Sequence, residues 1–398
     1  MTQQLTQGYY HVLNGENGLG KTHFLAKLSE QTLENLVNNS INANSLCPFY
    51  IENMICLSGI AFDKFPRYVD FKKKFNEDTE RLLRYCYCGY TTNNNMSTEI
   101  IPFRTVLDIA ARKYSDNING LIEKINIIFD YLERIEFDQK LIIKIGESST
   151  RKMEEPGYTL EKSNPDKLEE NIKLLIEKIN QEPRNDIKDI IFYKNDYKYC
   201  LTRAKTGYRN LSSGQYQIIR FIFSLVLTIT PNSLVIYDEP EISLHPKWQN
   251  IIIQFLMDII EENRLGTNRK LNRNATVVIA THSPLITSSF STSKIKISSY
   301  DSNNNGFKWD EQQYYGWDAN NLLKEHFKLK SARSQEFINK INELLKSFQD
   351  REDDKLKEEY EELELLLWNK ETDDFSLSVK DPLYGTLHAI KAYVETIE

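Results

Sequence analysis

The sequence predicts an α/β protein built on a mainly parallel sheet with some antiparallel strands, an inserted helical subdomain and a helical C-terminal tail. Three observations lead there. Apolar strand-like runs alternate with helical ones near the start and again after residue 211. A glycine-bearing turn joins the first such strand to the first helix. The stretch between these regions, and the tail, instead repeat apolar residues at helical spacing.

Taken in order, Tyr9 to Leu13 reads as a strand running into the turn Asn14 to Gly20. A helix is expected from Lys21, with Phe24, Leu25 and Leu28 on its apolar face. Asn53 to Phe62 reads as a buried strand closed by Asp63-Lys64-Phe65-Pro66. Leu121, Ile125, Ile128 and Leu132 mark one amphipathic helix, and Leu168, Ile172, Leu175 and Ile179 another, while Leu141 to Ile145 and Ile190 to Tyr193 look like short strands. The pattern then returns to α/β. Helices are expected over Gln215 to Leu227 and Trp248 to Ile260, and buried strands over Ser233 to Tyr237 and Thr276 to Ala280. Past about residue 305 the chain is expected to be helical. Phe337, Ile341, Leu344 and Phe348 make one stripe and Leu356, Tyr360, Leu363 and Leu367 a second, read as helices packing within their own domain. The expected division is a discontinuous head over 1–70 and 196–300, an inserted, mostly helical subdomain over 71–195, and a helical C-terminal region over 301–398.

Composition narrows the function. No uncharged apolar run is long enough to span a bilayer and no basic-then-apolar leader opens the chain, so a soluble, cytoplasmic protein is expected. The five cysteines, Cys47, Cys56, Cys86, Cys88 and Cys200, fit no disulfide framework, and Cys86-Tyr87-Cys88 has no second pair at metal-ligand spacing. The net charge of −7 is unevenly placed: from Ser331 onward 17 acidic and 9 basic side chains give −8, leaving about +1 on the rest. The low pI of 5.6 therefore neither excludes nor requires a basic nucleic-acid groove on the body.

Four motifs carry chemistry. Gly15-Glu16-Asn17-Gly18-Leu19-Gly20-Lys21-Thr22 has the G-x-x-x-x-G-K-[ST] form and stands between a strand and a helix, as a phosphate-binding loop requires. Asn17, Gly18, Leu19 and Gly20 would offer backbone N–H groups to phosphate oxygens, Lys21 would reach the terminal phosphates, and the Thr22 hydroxyl would hold Mg²⁺. Ser233 to Pro240 is a buried strand that delivers two adjacent carboxylates to the sheet edge. Asp238 is placed for the metal and Glu239 for polarising an attacking water. Leu211-Ser212-Ser213-Gly214-Gln215 opens a helix with small residues, an arrangement suited to an anion. Thr281-His282-Ser283-Pro284 follows the strand ending at Ala280, where His282 can touch a γ-phosphate and report its loss.

Leu211 to Gln215 resembles the signature motif of ABC ATPases, which contacts the γ-phosphate of ATP held by the other protomer's phosphate loop. The ordered motifs cover about 1–70 and 200–290. Asp238 through Pro246, Ala61 through Pro66, and Tyr315-Gly316-Trp317-Asp318 through Phe327 are similar to prokaryotic ABC ATPases related to the OLD and repair-clamp groups. Within these, the chain resembles ATPase subunits of Septu-type and retron-associated antiphage defence systems. The resemblance implies an ABC ATPase head that binds and hydrolyses ATP with Mg²⁺ in a head-to-head dimer or higher homo-oligomer. It implies a separate HNH-type nuclease subunit, nucleic acid reached through the complex, and no membrane. It also makes Lys21, Glu239 and the switch histidine His282 the catalytic set, puts a dimer-contacting loop at Glu241 to Pro246, and leaves Tyr9 and Tyr10 as candidates to stack on adenine. No glutamine follows the Asn53 to Phe62 strand, where the family places one, so slow turnover is expected. An SMC/RecF-like DNA-repair or DNA-end clamp is the alternative. A transporter motor is disfavoured by the long insert between Thr22 and Leu211, and a self-contained nuclease by the lack of a strand-borne acidic cluster in the tail.

Overall fold

The computed structural model describes residues 4–15, 18–60, 63–67, 84–89, 91–92, 95–96, 99–146, 157–181, 187–202, 207–261, 274–301, 306–311, 313–325, 334–369, 372–377 and 381–397. Asn17, Ala61, Phe62 and Phe327, singled out above, lie outside them. The chain divides into two compact units, Met1–Leu322 and Leu323–Glu398.

The first unit is organised by a seven-stranded sheet. In chain order its strands are β1 (Tyr10–Leu13), β2 (Asn53–Ser58), β3 (Tyr85–Cys88), β11 (Ser233–Asp238), β12 (Thr276–Ala280), β13 (Ile295–Asp301) and β14 (Gly306–Asp310). The intervening strands are β4 (Thr91–Thr92), β5 (Asn95–Met96), β6 (Lys140–Ile145), β7 (Gly157–Glu161), β8 (Ile187–Lys194), β9 (Tyr197–Cys200) and β10 (Arg209–Asn210). Across the large sheet the order is β14-β13-β1-β12-β11-β2-β3, parallel throughout except for the antiparallel edge pair β13–β14. The central strands β2, β11 and β12 are buried at every residue, which is why they read as unbroken apolar runs.

Eight helices of this unit are α1 (Lys21–Asn38), α2 (Ile101–Lys113), α3 (Ile118–Arg134), α4 (Pro165–Gln181), α5 (Ser213–Thr228), α6 (Pro246–Glu261), α7 (Pro284–Ser288) and α8 (Ala319–Glu325), the last ending just past the unit boundary. Phe24, Leu25 and Leu28 of α1 pack on Leu13, Leu234, Ile236 and Val278, the apolar face expected from their spacing. Helix α5 is buried over its whole length from Tyr216 to Thr228, as a helix apolar on all sides must be.

A second sheet, in the order β10-β9-β8-β6-β7, is antiparallel apart from the β9–β10 pair. The sequence announced only two of its strands, because Gly157–Glu161 and Tyr197–Cys200 are short and polar and show no clear alternation of apolar residues. The region beyond 305 also departs from expectation: it opens with β14 rather than with helix. Phe307 and Trp309 alternate on this strand and pack edge-on against Phe24, so tertiary contact, not local propensity, makes the strand. The buried run from Asn53 ends as a strand at Ser58, where Gly59 turns and donates to Asp238 O at 2.8 Å.

In the second unit α9 (Gln335–Asp350), α10 (Asp353–Leu367) and α11 (Pro382–Val394) surround a core of Ile341, Leu344, Leu356, Tyr360, Leu363, Leu387 and Ile390. The two stripes read from the sequence thus face one another and a third helix. Strands β15 (Trp368–Asn369) and β16 (Asp374–Phe375) form a small antiparallel pair beside them.

Candidate functional site

The candidate phosphate loop connects β1, which lies between β13 and β12 in the large sheet, to α1. Gly18 and Gly20 sit at φ 89° and 87°, a region that side chains with a Cβ rarely adopt, and Gly20 caps α1 with no side chain over its first N–H groups. Lys21, the first residue of the helix, is buried. Its Nζ donates to Gly15 O at 2.8 Å and lies 3.8 Å from Glu239 Oε1. Thr22 Oγ1 donates to Asp238 Oδ1 at 3.4 Å, so the two proposed metal ligands already meet.

Asp238 ends β11 fully buried. Burial pushes its carboxyl up to about 6, offset in part by the Thr22 hydroxyl. Its Oδ2 has no hydrogen-bond partner although no water reaches it. A buried carboxylate with one bare oxygen, beside a hydroxyl and under a phosphate loop, suits a hard divalent cation. The residues present therefore fit Mg²⁺.

Glu239 departs from the strand in a left-handed conformation, φ 51°, uncommon for a non-glycine residue and costly enough to need outside support. Its N–H donates to Ala280 O at 2.8 Å, and its carbonyl lies against Gly59, where an added Cβ would stand 1.9 Å away. The strained turn is therefore held from both neighbouring strands. Burial first, and then the Glu241 carboxylate, push the Glu239 carboxyl up to about 9. His282 Nδ1 lies 2.6 Å from Glu239 Oε2, on an imidazole that is otherwise exposed.

Glu241 is the site residue that sequence reasoning passed over. Its Oε1 accepts from Thr281 Oγ1 at 2.6 Å and from the His282 backbone N–H at 2.8 Å, and it lies 3.3 Å from His282 Nδ1. One buried carboxylate thus ties down the turn carrying the histidine and couples it to Glu239. The available signal is a third acid three residues after Asp238, inside the segment expected to be a dimer-contacting loop. Donor atoms of Glu239, Glu241 and His282 all lie within 4.8 Å of one another. Their mutual hydrogen bonds account for that clustering without an ion.

Ser212 and Ser213 are exposed at the start of α5. Ser212 and Gln215 form a reciprocal capping box: Gln215 N donates to Ser212 Oγ at 3.2 Å, and Ser212 N donates to Gln215 Oε1 at 2.9 Å. Leu211 is half-buried in front of them. Gly214 is buried, because a Cβ there would come within 2.9 Å of Ser243 O and 3.3 Å of the Trp248 ring. Hence the glycine is required by packing, and the serines are what this motif shows to the outside. Tyr10, a candidate for stacking on adenine, is instead buried against Phe290 and donates to Glu261 Oε1 at 3.2 Å, leaving no free ring face.

A mixed α/β fold with a mainly parallel sheet, a phosphate loop after its first strand and an Asp–Glu pair at its edge agrees with a P-loop ATPase. Residues 106–288 match the family model described as "AAA domain, putative AbiEii toxin, Type IV TA system". That span contains the helix start at Leu211, the Asp238–Glu239 pair, Glu241 and His282, and begins after the phosphate loop. Protein ea59 of Escherichia phage lambda is 25% identical over 293 residues, 69% of this chain and 46% of that protein. The retron Vc95 probable ATPase of Vibrio cholerae serotype O1 biovar El Tor is 24% identical over 281 residues, 69% of this chain and 50% of its own length. The chain thus spans about half the length of the curated relatives it matches. Together the matches support an ATPase domain of a kind found among phage-defence and abortive-infection proteins. No helix among the described residues is long and apolar enough to cross a membrane.

Proposed function

We propose that this chain is an ABC-type ATPase that binds and hydrolyses ATP with Mg²⁺ in a head-to-head dimer, as the sensor and regulatory subunit of an antiphage defence complex controlling a separate HNH-type nuclease. The observation carrying the ATPase part is the convergence of Lys21, Asp238, Glu239 and His282, from three different strand ends, on one phosphate loop. The defence role rests on the retron relative and the family match. The head over 1–70 and 196–300, with its insertion and tail, is the division on which this reading works.

Each side chain has a role in that reaction. Lys21 exchanges the Gly15 carbonyl for phosphate oxygens, to which an ammonium bonds more strongly. Thr22 and Asp238 would hold Mg²⁺, which would supply positive charge against the phosphates. Glu239 accepts the proton of the attacking water. Burial and the neighbouring Glu241 carboxylate raise its carboxyl, which favours a group that takes up a proton. His282 bonds to Glu239 here and can turn to a γ-phosphate, linking the base to the presence of nucleotide. The exposed Ser212 and Ser213, at a helix start, are available to a phosphate held by a second copy.

Light scattering on two variants tests the dimer. Glu239→Gln is expected to bind ATP and accumulate as a dimer, and Ser213→Arg to bind ATP with wild-type affinity yet remain monomeric. An E239Q protein that associates no more with ATP than wild type, or an S213R protein that still dimerises, overturns the shared-site reading. Co-purification with a nuclease chain tests the regulatory role separately.

A further inference from the structure

The outer face of the five-stranded sheet carries a pattern that the nucleotide site leaves unused. Strand register places Glu161, Lys140, Tyr193 and Lys198 in one cross-strand row: Lys140 pairs with Glu161, Tyr193 with Lys198, and Lys140 falls opposite Tyr193 one step beyond the Leu141–Phe192 pair. Tyr208, immediately before β10, extends that row, since Arg209 pairs with Tyr199. The ammonium groups of Lys140 and Lys198 lie 5.4 and 5.9 Å from the centre of the Tyr193 ring. Those of Lys144 and Lys198 lie 5.5 and 5.8 Å from the Tyr208 ring. Lysine and tyrosine therefore alternate across three strands, β6, β8 and β9, and the residue before β10. Leu141, Ile143, Ile190 and Phe192 point the other way and are buried, which fixes this surface on a rigid support.

The acids on this face do not cancel it. Glu161 pairs with Lys140 at 3.2 Å. Asp189, opposite Lys144, is turned onto the N–H groups of Leu201 and Thr202 at 3.1 and 3.2 Å and the Thr202 hydroxyl at 2.8 Å. Among the described residues neither Lys144 nor Lys198 has a carboxylate at ion-pair distance.

We propose that this face binds single-stranded nucleic acid, its bases stacking on Tyr193 and Tyr208 and its phosphates lying on Lys140, Lys144 and Lys198. Rings flanked by cations match the alternation of base and phosphate in an unpaired strand, whereas a duplex hides its base faces and offers only its backbone. An acidic peptide would engage the lysines and leave the rings idle. The inference stands apart from the nucleotide site, and it would give a regulatory subunit a surface for recognising its trigger.

Fluorescence anisotropy on the full chain tests it, using labelled DNA and RNA single strands of about 16 nucleotides and the same sequence as a duplex. Single strands are expected to bind better than the duplex, with affinity falling as salt rises from about 50 to about 200 mM. The two single-strand arms assign DNA or RNA. Lys144→Glu with Lys198→Glu, the first half-buried and the second exposed, is expected to lose at least about tenfold in strand affinity while keeping wild-type ATP binding. Tyr208→Ala is expected to lose about tenfold with an unchanged salt slope, because stacking is removed and the phosphate contacts stay. Duplex bound as tightly as single strand, or a double charge reversal that binds like wild type, overturns the proposal. Since ATP binding is read in the same samples, failure here is distinct from failure of the ATPase reading.

Discussion

The edge of the parallel sheet and the face of the antiparallel sheet handle charge in opposite ways. At the parallel edge Lys21, Asp238, Glu239 and Glu241 are all buried within reach of one another and of a single histidine. Two acids there are pushed upward by burial, and the backbone at Glu239 is held in a strained turn. Across the antiparallel face the lysines are half-buried or exposed; Lys140 pairs with Glu161, and Lys144 and Lys198 lie beside aromatic rings. The first arrangement costs folding energy, a cost that the proposed reaction site would account for. The second costs almost nothing and suits a partner that arrives with its own charge. Substitutions at the parallel edge should therefore be large in effect and specific, and those on the face graded and salt-dependent.

The strongest break in that contrast is Lys21→Ala. Losing charge-assisted bonding of about 1.5–3 kcal/mol predicts roughly a ten- to hundredfold loss of ATP affinity by calorimetry, with single-strand binding untouched. Wild-type ATP affinity in this variant would remove the phosphate-loop assignment.

Glu241→Ala is the next test. It strands the Thr281 hydroxyl and the His282 N–H, a cost of about 1–3 kcal/mol, and a tenfold or larger fall in kcat is expected with ATP affinity kept. Glu241→Gln retains the accepting Oε1 and should recover part of that loss. If alanine and glutamine behave alike, charge rather than positioning is the contribution of Glu241.

The smallest effect lies within the parallel sheet. His11 in β1 is fully buried, its Nε2 accepting from Thr6 N at 3.0 Å, and burial pushes its imidazole down to about 3. Its folded value is below its unfolded one, so the stability it contributes is present above about pH 6.5 and is lost as pH falls toward 3. The melting temperature should decline over that window, and His11→Gln should flatten the decline; an unaltered slope would assign the acid sensitivity to other groups.

Much of this molecule was legible in its residues, and the unread parts share a cause. Strands β2, β11 and β12 and helix α5 are apolar along most of their length, so burial on all sides shows in composition alone. The loop at Gly15 to Thr22 and the Asp238–Glu239 pair are local chemistry, readable because each needs particular residue types at fixed spacing. Strand β14 looked like the start of a helical tail, since what makes it a strand is Phe307 and Trp309 meeting Phe24 some 280 residues away. Strands β7 and β9 escaped notice because their polar residues become a pattern only beside β6 and β8.

By itself the sequence determined the fold class, the glycine-rich turn between the first strand and helix, and the pair of acids at a strand end, because local spacing and composition suffice for each. Only the tertiary structure decided that Glu241 locks the His282 turn, that Tyr10 is core, and that lysines and tyrosines from three strands and the residue before β10 form one surface. Each of those depends on contacts between distant segments, and the distance between two side chains is set by how the chain folds back on itself, which no stretch of residues carries alone.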